Sequence, residues 1–546
     1  MKKSYKSIFL LLSLAVLFNA CEGQGDSLIN ERLEDNPLPV TPEYTSGDAD
    51  FSTFIAIGNS LSAGYADGAL YNAGQQMSYP AMMAAQLGVT VDGGITFNQP
   101  DINSEKGFNT VVPNPVGNTI LGRFKLDVAA RIPTPTLGGD LPTAYSGPQV
   151  HNFGVPGIQV GQLLTPATGG PDIAQNPAFN PFYQRFASSP SQDGATGSTI
   201  LGDAVATQPT FFTLWIGNND VLGYAASGGA NEAIFTSAAD FDARYNGVIA
   251  TLMGNTQAKG VVSNIPFILG LPLFQAVVWN SIALDAATAS AINDGVASVN
   301  GAIQACANAP LNAISAEDAA RRLISYSEGS NPILAIDEEL DDLEDCFNAL
   351  QTFGQINAEQ RAALVPYEQS RPLVQGELVL LSAGSVLGTA FAGDATKSIG
   401  VVIPLGFNTD GSLSGDQYYL TLAEQQAIEV RRAQFNGTIS AAVAANSSRL
   451  ALHDTNSPTG VFYDIFGRSD GVPGITYEGI NLEPDFSPNG ILSTDGVHPN
   501  PRGYAIIANE MLGVIEAKFG ANLPSINVTN LPSVVVCGIG DCLTEQ

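Results

Sequence analysis

Residues 54–65 read Phe-Ile-Ala-Ile-Gly-Asn-Ser-Leu-Ser-Ala-Gly-Tyr. The short apolar run at the start contains β-branched residues and predicts a buried strand, which Gly58 ends. Ser60 then lies at the exit of that strand, where a side chain is rigidly held but still accessible. A serine nucleophile is expected at such a place, although Ser62 stands where a Gly-x-Ser-x-Gly elbow has its second glycine. A plain strand-turn with a capping serine is the alternative.

Length and charge restrict the class of protein. The chain has 546 residues, enough for two or more ordinary domains or for one domain with a large insertion. Its hydrophobic content of 45%, with 57 Gly and 33 Pro, indicates a globular, loop-rich protein. The 52 acidic residues outnumber the 22 basic ones, for a formal net charge of -30. Because such a surface repels phosphate backbones, no nucleic-acid partner is expected.

Residues 1–21 have the pattern of an export signal. Lysines precede an apolar core at 8–18 that is too short for a permanent membrane span. Residues 17–21 read Leu-Phe-Asn-Ala-Cys and resemble the lipobox of bacterial lipoproteins, although Phe18 stands where the family usually has Leu. We therefore expect a protein of the bacterial cell envelope, anchored to the outer membrane by a lipid on Cys21. Ordinary secretion is the alternative.

The four other cysteines are an even number in an exported chain, which favours disulfides. Cys537 and Cys542 flank a flexible turn that a local bridge could close. Cys306 and Cys346 each lie in a helix-like segment, and a bridge would join those two segments. Four cysteines allow three pairings, and four free thiols are the alternative. No histidine is close to any of them in sequence, so no metal site is expected.

Strands and helices alternate along much of the chain. Strands are predicted at 54–57, 149–156, 209–216, 260–266 and 449–454, and helices at 78–88, 241–253, 422–444 and 504–519. This alternation favours an α/β fold with a parallel sheet and crossover helices. Residues 89–147 are rich in Pro, Gly and Asn and are predicted to form a long surface excursion.

The pattern changes between 270 and 425, where we expect an inserted, mainly helical cap. Helices are predicted there at 282–305, 315–325 and 335–350, the last with a solvated acidic face, and β-like stretches at 377–388 and 398–405. The expected organisation is a signal peptide at 1–21, a flexible tether at 22–50, a first core part at 51–269, the insertion at 270–425, a second core part at 426–520 and a tail at 521–546.

The sequence contains three histidines, so a general base is quickly found. His498 follows Asp495 by three residues, in a Gly- and Pro-rich loop before the last helix. One short turn can bring that carboxylate to the imidazole, where it fixes the tautomer and stabilises the imidazolium. His151 precedes a turn and His453 lies within a strand, where a histidine is more often packed core than catalytic.

Two further positions could donate hydrogen bonds to an oxyanion. Gly157, in a glycine-rich turn, can offer an unhindered backbone N–H, and Asn219 can offer its side-chain amide. In a parallel sheet these positions fall at the carboxyl ends of strands, where the active sites of open α/β sheets are found. A simple turn at Gly157 and a helix cap at Asn219 are the alternatives.

Four short blocks, taken together and in order, resemble the GDSL-type SGNH hydrolases. Residues 58–62 (Gly-Asn-Ser-Leu-Ser) are similar to the name-giving Gly-Asp-Ser-Leu-Ser, with Asn59 in place of Asp. The other blocks are Asn-Phe-Gly-Val-Pro-Gly at 152–157, Gly-Asn-Asn-Asp at 217–220 and Asp-Gly-Val-His-Pro at 495–499. The insertion at 270–425 is absent from the compact members of the family.

The resemblance implies a three-layer α/β/α fold of the flavodoxin-like type around a mostly parallel sheet. It implies Ser60 as nucleophile, His498 as base and then acid, Asp495 as the orienting carboxylate, and an oxyanion hole from the Ser60 N–H, the Gly157 N–H and the Asn219 side chain. The reaction would be hydrolysis of a carboxylic ester through an acyl-enzyme, on lipids, acylated glycans or small esters, without metal or organic cofactor. The alternative is a non-catalytic surface lipoprotein that binds ligand on the same scaffold.

Overall fold

The computed structural model describes residues 43–543 except 113, 130–131, 386, 388–389, 392–393, 399–405, 408–412 and 415. The predicted signal peptide with Cys21, most of the predicted tether and most of the β-like stretch at 398–405 lie outside the described residues. Within the described ranges, no helix is long and apolar enough to cross a bilayer.

Strands and helices alternate in the first part of the chain and again near its end. The strands are β1 Phe54–Gly58, β2 Leu121–Asp127, β3 Ile132–Leu137, β4 Asn152–Gly154, β5 Phe211–Trp215, β6 Lys259–Ser263, β7 Ile282–Leu284, β8 Gly329–Asn331, β9 Leu334–Ile336, β10 Ser370–Pro372, β11 Leu378–Val379, β12 Ala390–Phe391, β13 Asp394–Ser398, β14 Gly406–Phe407, β15 Leu413–Ser414, β16 Tyr419–Leu420, β17 Leu450–His453, β18 Ile475–Tyr477 and β19 Ile480–Leu482. The α-helices are α1 Ser60–Ala63, α2 Asn72–Gln76, α3 Tyr79–Leu87, α4 Pro181–Gln184, α5 Ile200–Ala206, α6 Asn219–Ala226, α7 Ala238–Asn255, α8 Pro272–Gln275, α9 Ala286–Ala307, α10 Ala316–Arg322, α11 Glu344–Thr352, α12 Ala358–Leu364, α13 Leu422–Ala445, α14 Val461–Ile465 and α15 Pro501–Phe519.

A parallel five-stranded sheet forms the centre, in the order β17-β6-β5-β1-β4. The chain passes from β1 to β4 on one side and then returns to β5 on the other side of β1. This reversal makes the carboxyl end of β1 a topological switch point, where open α/β sheets bind their ligands. The fold thus places the residue after β1 at the most favourable position for a site.

Both faces of the sheet are covered by helices. On one face Ile55 and Ile57 pack in a core with α7 and α13, whose Phe241 and Phe435 rings stack with centroids 3.8 Å apart. On the other face Phe54 packs with α3 and α15. All five residues of β1 are buried, which explains why its sequence is continuously apolar rather than alternating. The predicted three-layer α/β/α fold with a parallel sheet is confirmed.

The excursion at 89–147 contains more structure than the sequence predicts. Its strands β2 and β3 form an antiparallel hairpin. The C-terminal segment pairs with this hairpin, through bridges from Leu126 to Val536 and from Thr136 to Cys542.

The insertion is mainly helical, with a core of its own built from α9, α10, α11 and α12. The predicted helix at 335–350 is wrong in its first half, because β9 pairs with β10 and the helix begins only at Glu344. The three residues of β9 are buried and apolar, and their backbone groups form a hydrogen-bonded ladder with β10. The predicted β-like stretch at 377–388 is also too long, since β11 covers only Leu378–Val379 and a 3₁₀ helix follows at Leu381–Ser385.

The structure contains two disulfides. Cys306 in α9 bonds to Cys346 in α11, and Cys537 bonds to Cys542. Of the three possible pairings, the chain therefore adopts the one that joins two helices and closes one local turn.

Candidate active site

Ser60 begins the short helix α1, directly after β1. Asn59 caps this helix, because its side-chain oxygen accepts a hydrogen bond from the Leu61 N–H at 3.0 Å. A Cβ at Gly58 would lie 2.3 Å from the Ser62 Oγ and 2.4 Å from the Trp215 carbonyl oxygen. The turn can therefore fold tightly against β5 only with glycine at 58.

Ser60, His498 and Asp495 form one continuous hydrogen-bonded chain. The Ser60 Oγ lies 2.8 Å from the Nε2 of His498. On the other side of the same ring, Nδ1 lies 2.9 Å from the Oδ2 of Asp495. The Tyr65 ring packs on the imidazole with centroids 4.7 Å apart. The structure thus joins residues that are more than four hundred positions apart in the sequence.

Asp495 is held as a carboxylate by its surroundings. Burial by itself would raise its pKa, but the facing imidazole of His498 and the N–H groups of His498 and Gly68 outweigh it, so that the pKa falls to about 2. Oδ1 accepts from the N–H groups of Val497 and His498, and Oδ2 accepts from the Gly68 N–H at 2.9 Å. The carboxylate has no remaining freedom to turn away from the imidazole.

The Asp67–Gly68 turn holds the loop that carries Asp495. The Asp67 carboxylate accepts hydrogen bonds from the N–H and the hydroxyl of Thr494, and the Asp67 N–H donates to the Ser493 hydroxyl. Asp67 and Gly68 both have positive φ, of 55° and 73°. Gly68 suits this backbone, which directs its N–H toward Asp495. Sequence reasoning missed this contribution, although Asp-Gly is a recognised turn signal.

Gly157 and Asn219 lie on neighbouring loops. Gly157 follows β4 with φ 81°, and no side chain crowds its Cα. Asn219 begins α6 and donates its Nδ2 to the Ile158 carbonyl at 2.9 Å. Within the described residues, neither the Ser60 nor the Gly157 backbone N–H donates to another group. Both backbone N–H groups thus remain free to donate, while the Asn219 amide fixes the Gly157 loop.

Asp220 strengthens the same connection. Its carboxylate accepts from the Val160 N–H at 2.9 Å and from the Thr236 hydroxyl at 2.9 Å. Burial raises the pKa of Asp220 to about 6 against the lowering effect of these donors. The pair Asn219 and Asp220 therefore fastens the loop after β4 to the loop after β5.

A small pocket opens beside Ser60, His498 and Asn219. Its walls are mostly apolar and include Trp215 and Phe267. Asn218 also lines it, and its buried Oδ1 has no hydrogen-bond partner in the described part of the chain. The sequence indicated neither the apolar walls nor Asn218 as parts of the site.

Ser60 follows a strand of the parallel sheet and is hydrogen-bonded in line with a histidine and an aspartate from the loop before α15, which agrees with the comparison with known families. A model of the family described as GDSL-like Lipase/Acylhydrolase matches residues 54–347, more than half of the chain. The chain belongs to this family. Comparison with curated proteins and with solved structures found no match.

The GDSL-like match contains Ser60, Gly157 and Asn219 and ends inside the insertion, before Asp495 and His498. Asp495 and His498 lie outside the matched range, and it is their hydrogen bonds in line with Ser60 that connect them to the site. Family membership supports hydrolase activity in general terms.

The other two histidines of the GDSL-like chain lie elsewhere. His453 is buried in β17 with its Nδ1 2.9 Å from the Ser263 Oγ. His151 accepts a hydrogen bond on Nδ1 from the Asn98 N–H, and burial lowers its pKa. Neither ring contacts Ser60 in the described structure. No group of three or more His, Cys, Asp or Glu residues among the described ones is arranged to hold a metal ion.

Proposed function

We propose that this GDSL-like chain hydrolyses carboxylic esters through Ser60, His498 and Asp495. The observation that carries the proposal is the hydrogen-bonded line from Asp495 Oδ2 through both nitrogens of His498 to Ser60 Oγ, with distances of 2.9 and 2.8 Å. Each group stands where general-base activation of a serine needs it.

In the first step the Ser60 Oγ attacks the ester carbonyl carbon while its proton moves to the Nε2 of His498. Because the ionised Asp495 accepts a hydrogen bond from the Nδ1–H, Nε2 is free to receive that proton. The negative charge on the former carbonyl oxygen is stabilised by the N–H groups of Ser60 and Gly157 and by the amide of Asn219. The carbon–oxygen bond to the alcohol then breaks, and His498 gives its proton to the leaving oxygen.

In the second step water replaces the alcohol. His498 takes a proton from this water, whose oxygen attacks the acyl carbon on Ser60. The bond to the Ser60 Oγ breaks, the serine recovers its proton from His498, and the carboxylic acid leaves. The enzyme returns to its starting state without a redox or metal step.

The decisive experiment is labelling with a fluorophosphonate probe, which reacts with an activated serine. We expect the wild-type chain and Ser62→Ala to be labelled and Ser60→Ala to remain unlabelled and to lose turnover of a p-nitrophenyl ester. Ser62 lies in the same helix but bonds to Tyr79 rather than to His498, which makes it a matched control. Labelling of Ser60→Ala at the wild-type level would contradict the proposal.

The alternative, a ligand-binding lipoprotein without turnover, predicts a different result. Such a protein would bind esters but would not react with the fluorophosphonate at Ser60. The same labelling experiment therefore separates the two functions.

We further propose that the mature protein is anchored at the outer membrane by a lipid on Cys21. The support is the lipobox-like stretch at 17–21 after an apolar core. Growth of the expressing bacteria with an alkyne-tagged fatty acid should label the wild-type chain and leave Cys21→Ala unlabelled. Equal labelling of both chains would contradict lipidation at this residue.

A further inference from the structure

We infer that the acyl chain of the substrate runs from Ser60 past Phe267 and Phe466 into a large apolar groove, so that the enzyme takes esters of long-chain fatty acids. This inference rests on the proposed function, because it requires an acyl group on Ser60. It is carried by two neighbouring spaces, the pocket beside Ser60 and the groove beyond it, which share the walls Phe267 and Phe466.

The pocket beside Ser60 is too small for a long chain. Its volume is about 60 Å³, against about 660 Å³ for the groove. Among its described walls there is no Asp, Glu, Lys or Arg side chain. It can therefore hold the first carbons of an acyl group, and any longer group must continue elsewhere.

The groove provides the missing room. It has a volume of about 660 Å³ and is lined mainly by apolar residues, among them Pro272, Ala276 and Phe486. Asp485 is the charged residue among its described walls, and its Oδ1 accepts from the Ser487 N–H at 2.9 Å. A mostly apolar groove next to a catalytic pocket gains free energy by burying methylene groups.

The sheet order places these walls in line with the nucleophile. Phe267 follows β6 and Phe466 follows β17, so both stand on the side of β1 toward the β17 edge. Gly157 follows β4, on the opposite side. Along the carboxyl edge of the sheet, Gly157 therefore follows a strand on one side of β1, and the apolar walls follow strands on the other side.

The two shared walls are closely fitted. A Cβ at Gly270 would lie 3.0 Å from ring atoms of both Phe267 and Phe466. Glycine at this position therefore lets both rings pack where the pocket meets the groove. The Arg468 guanidinium stacks 4.2 Å from the Phe267 ring centroid, which holds that ring in place.

The acyl half of the ester, which stays on the enzyme between the two steps, is the half that benefits from an apolar groove. The acyl group stays bonded to Ser60 between the two steps, whereas the alcohol leaves and water must enter in its place. An apolar groove beside the serine suits a group that remains there. We therefore assign the groove to the acyl chain rather than to the alcohol.

The groove also gives the insertion a role at the site. Pro272 and Ala276 line the groove and are among the first residues of the insertion. Between them in the sequence, the Leu273 N–H donates a hydrogen bond to the Gly496 carbonyl at 3.0 Å. Gly496 directly follows Asp495. The start of the insertion thus builds the groove and contacts the catalytic loop together.

The test fills the groove with Ala276→Trp and measures kcat/KM for dodecanoyl and butanoyl p-nitrophenyl esters. Ala276 is exposed, so the larger side chain does not disturb a core. The ratio of dodecanoyl to butanoyl kcat/KM should fall about tenfold or more, because the distal methylenes lose their contacts. Ala250→Trp, at an exposed position of α7, is the matched control and should keep the wild-type ratio.

A second variant, Phe486→Asp, places a charge in the groove and should lower the same ratio. An unchanged ratio in both groove variants overturns the inference. So does a loss that follows the alkyl length of the alcohol, measured with dodecyl and butyl acetate, because the groove would then hold the alcohol. Wild-type protein that hydrolyses no ester and takes no fluorophosphonate overturns the proposed function instead, and this inference with it.

Discussion

The side-chain Nδ2 of Asn219 donates a hydrogen bond to the carbonyl oxygen of Ile158 across 2.9 Å. Ile158 follows Gly157 directly, so this contact sets the position of the loop whose N–H is proposed to face the oxyanion. Asn219 also lines the pocket beside Ser60. One amide group can therefore hold the Gly157 loop with one proton and offer the other to the substrate.

We predict that Asn219→Asp lowers kcat by about a hundredfold or more, since it removes an amide donor and brings negative charge toward a developing oxyanion. KM should change much less, because the donor acts mainly in the transition state. Steady-state kinetics with a p-nitrophenyl ester measures both constants, and circular dichroism verifies the fold. A kcat within threefold of wild type would remove Asn219 from the oxyanion hole.

The hydrogen-bonded residues Ser60, His498 and Asp495 illustrate how much of the candidate site the sequence could predict. Asp495 and His498 are three residues apart, and Ser60 follows a recognisable strand, so short patterns taken together were enough to make all three candidates. The Gly68 N–H that bonds Asp495 lies 427 positions away and carries no side-chain chemistry, so no local pattern could indicate it. Contacts made by backbone groups across the chain depend on the fold itself.

The fold shows the same division. The strands of the central sheet are short apolar runs followed by turn residues, and their sequence was sufficient to predict them. The hairpin of β2 and β3 was missed because β3 contains Pro133 and Pro135, which argue against a strand. It is an antiparallel pair outside the central sheet, where proline is tolerated, and the distant C-terminal segment supports it.

Asp495 should contribute to stability in a pH-dependent way. Its pKa is lowered from 3.8 to about 2 in the folded chain, so the ionised form is the one that folding favours. Its contribution to the free energy of unfolding is about 2 kcal/mol. This contribution is fully present above about pH 4, near the pKa of Asp495 in the unfolded chain, and is lost as the pH falls toward 2.

The measurement compares wild type with Asp495→Asn in urea unfolding from pH 6 to the lowest pH at which both chains fold. The wild-type advantage in free energy of unfolding should shrink as the pH falls below about 4. The variant should also lose ester hydrolysis, because Asn cannot stabilise the imidazolium. A difference in stability that does not change with pH would contradict the lowered pKa.

Asn59 departs from the family's Gly-Asp-Ser-Leu-Ser pattern, yet it caps α1 as an aspartate would. We predict that Asn59→Ala lowers the free energy of unfolding by about 1 kcal/mol, the usual cost of losing a capping side chain. Asn59→Asp keeps an oxygen for the Leu61 N–H and should lie closer to wild type than the alanine variant. Urea unfolding at pH 7 ranks wild type and the two variants by free energy of unfolding. If Asn59→Asp is less stable than Asn59→Ala, the cost of burying the charge outweighs the gain from the cap.

The two disulfides should differ in what they contribute. Cys306 and Cys346 are 40 residues apart and join α9 to α11, whereas Cys537 and Cys542 are five apart. Loop-closure entropy in the unfolded chain gives about 4 kcal/mol for the first bridge and about 2 kcal/mol for the second. Both cysteines of the first bridge are buried, so alanine leaves no polar group in the core.

We therefore predict that Cys306→Ala with Cys346→Ala destabilises the insertion more than Cys537→Ala with Cys542→Ala destabilises the C-terminal segment. Hydrogen exchange read by mass spectrometry resolves the two regions, with protection falling in α9 and α11 for the first pair and in β2 and β3 for the second. Added reductant should reproduce both losses in wild type and change neither region further in a chain lacking both bridges. Equal protection of α9 in the wild-type and double-alanine chains would mean that the helical core of the insertion is stable without its bridge.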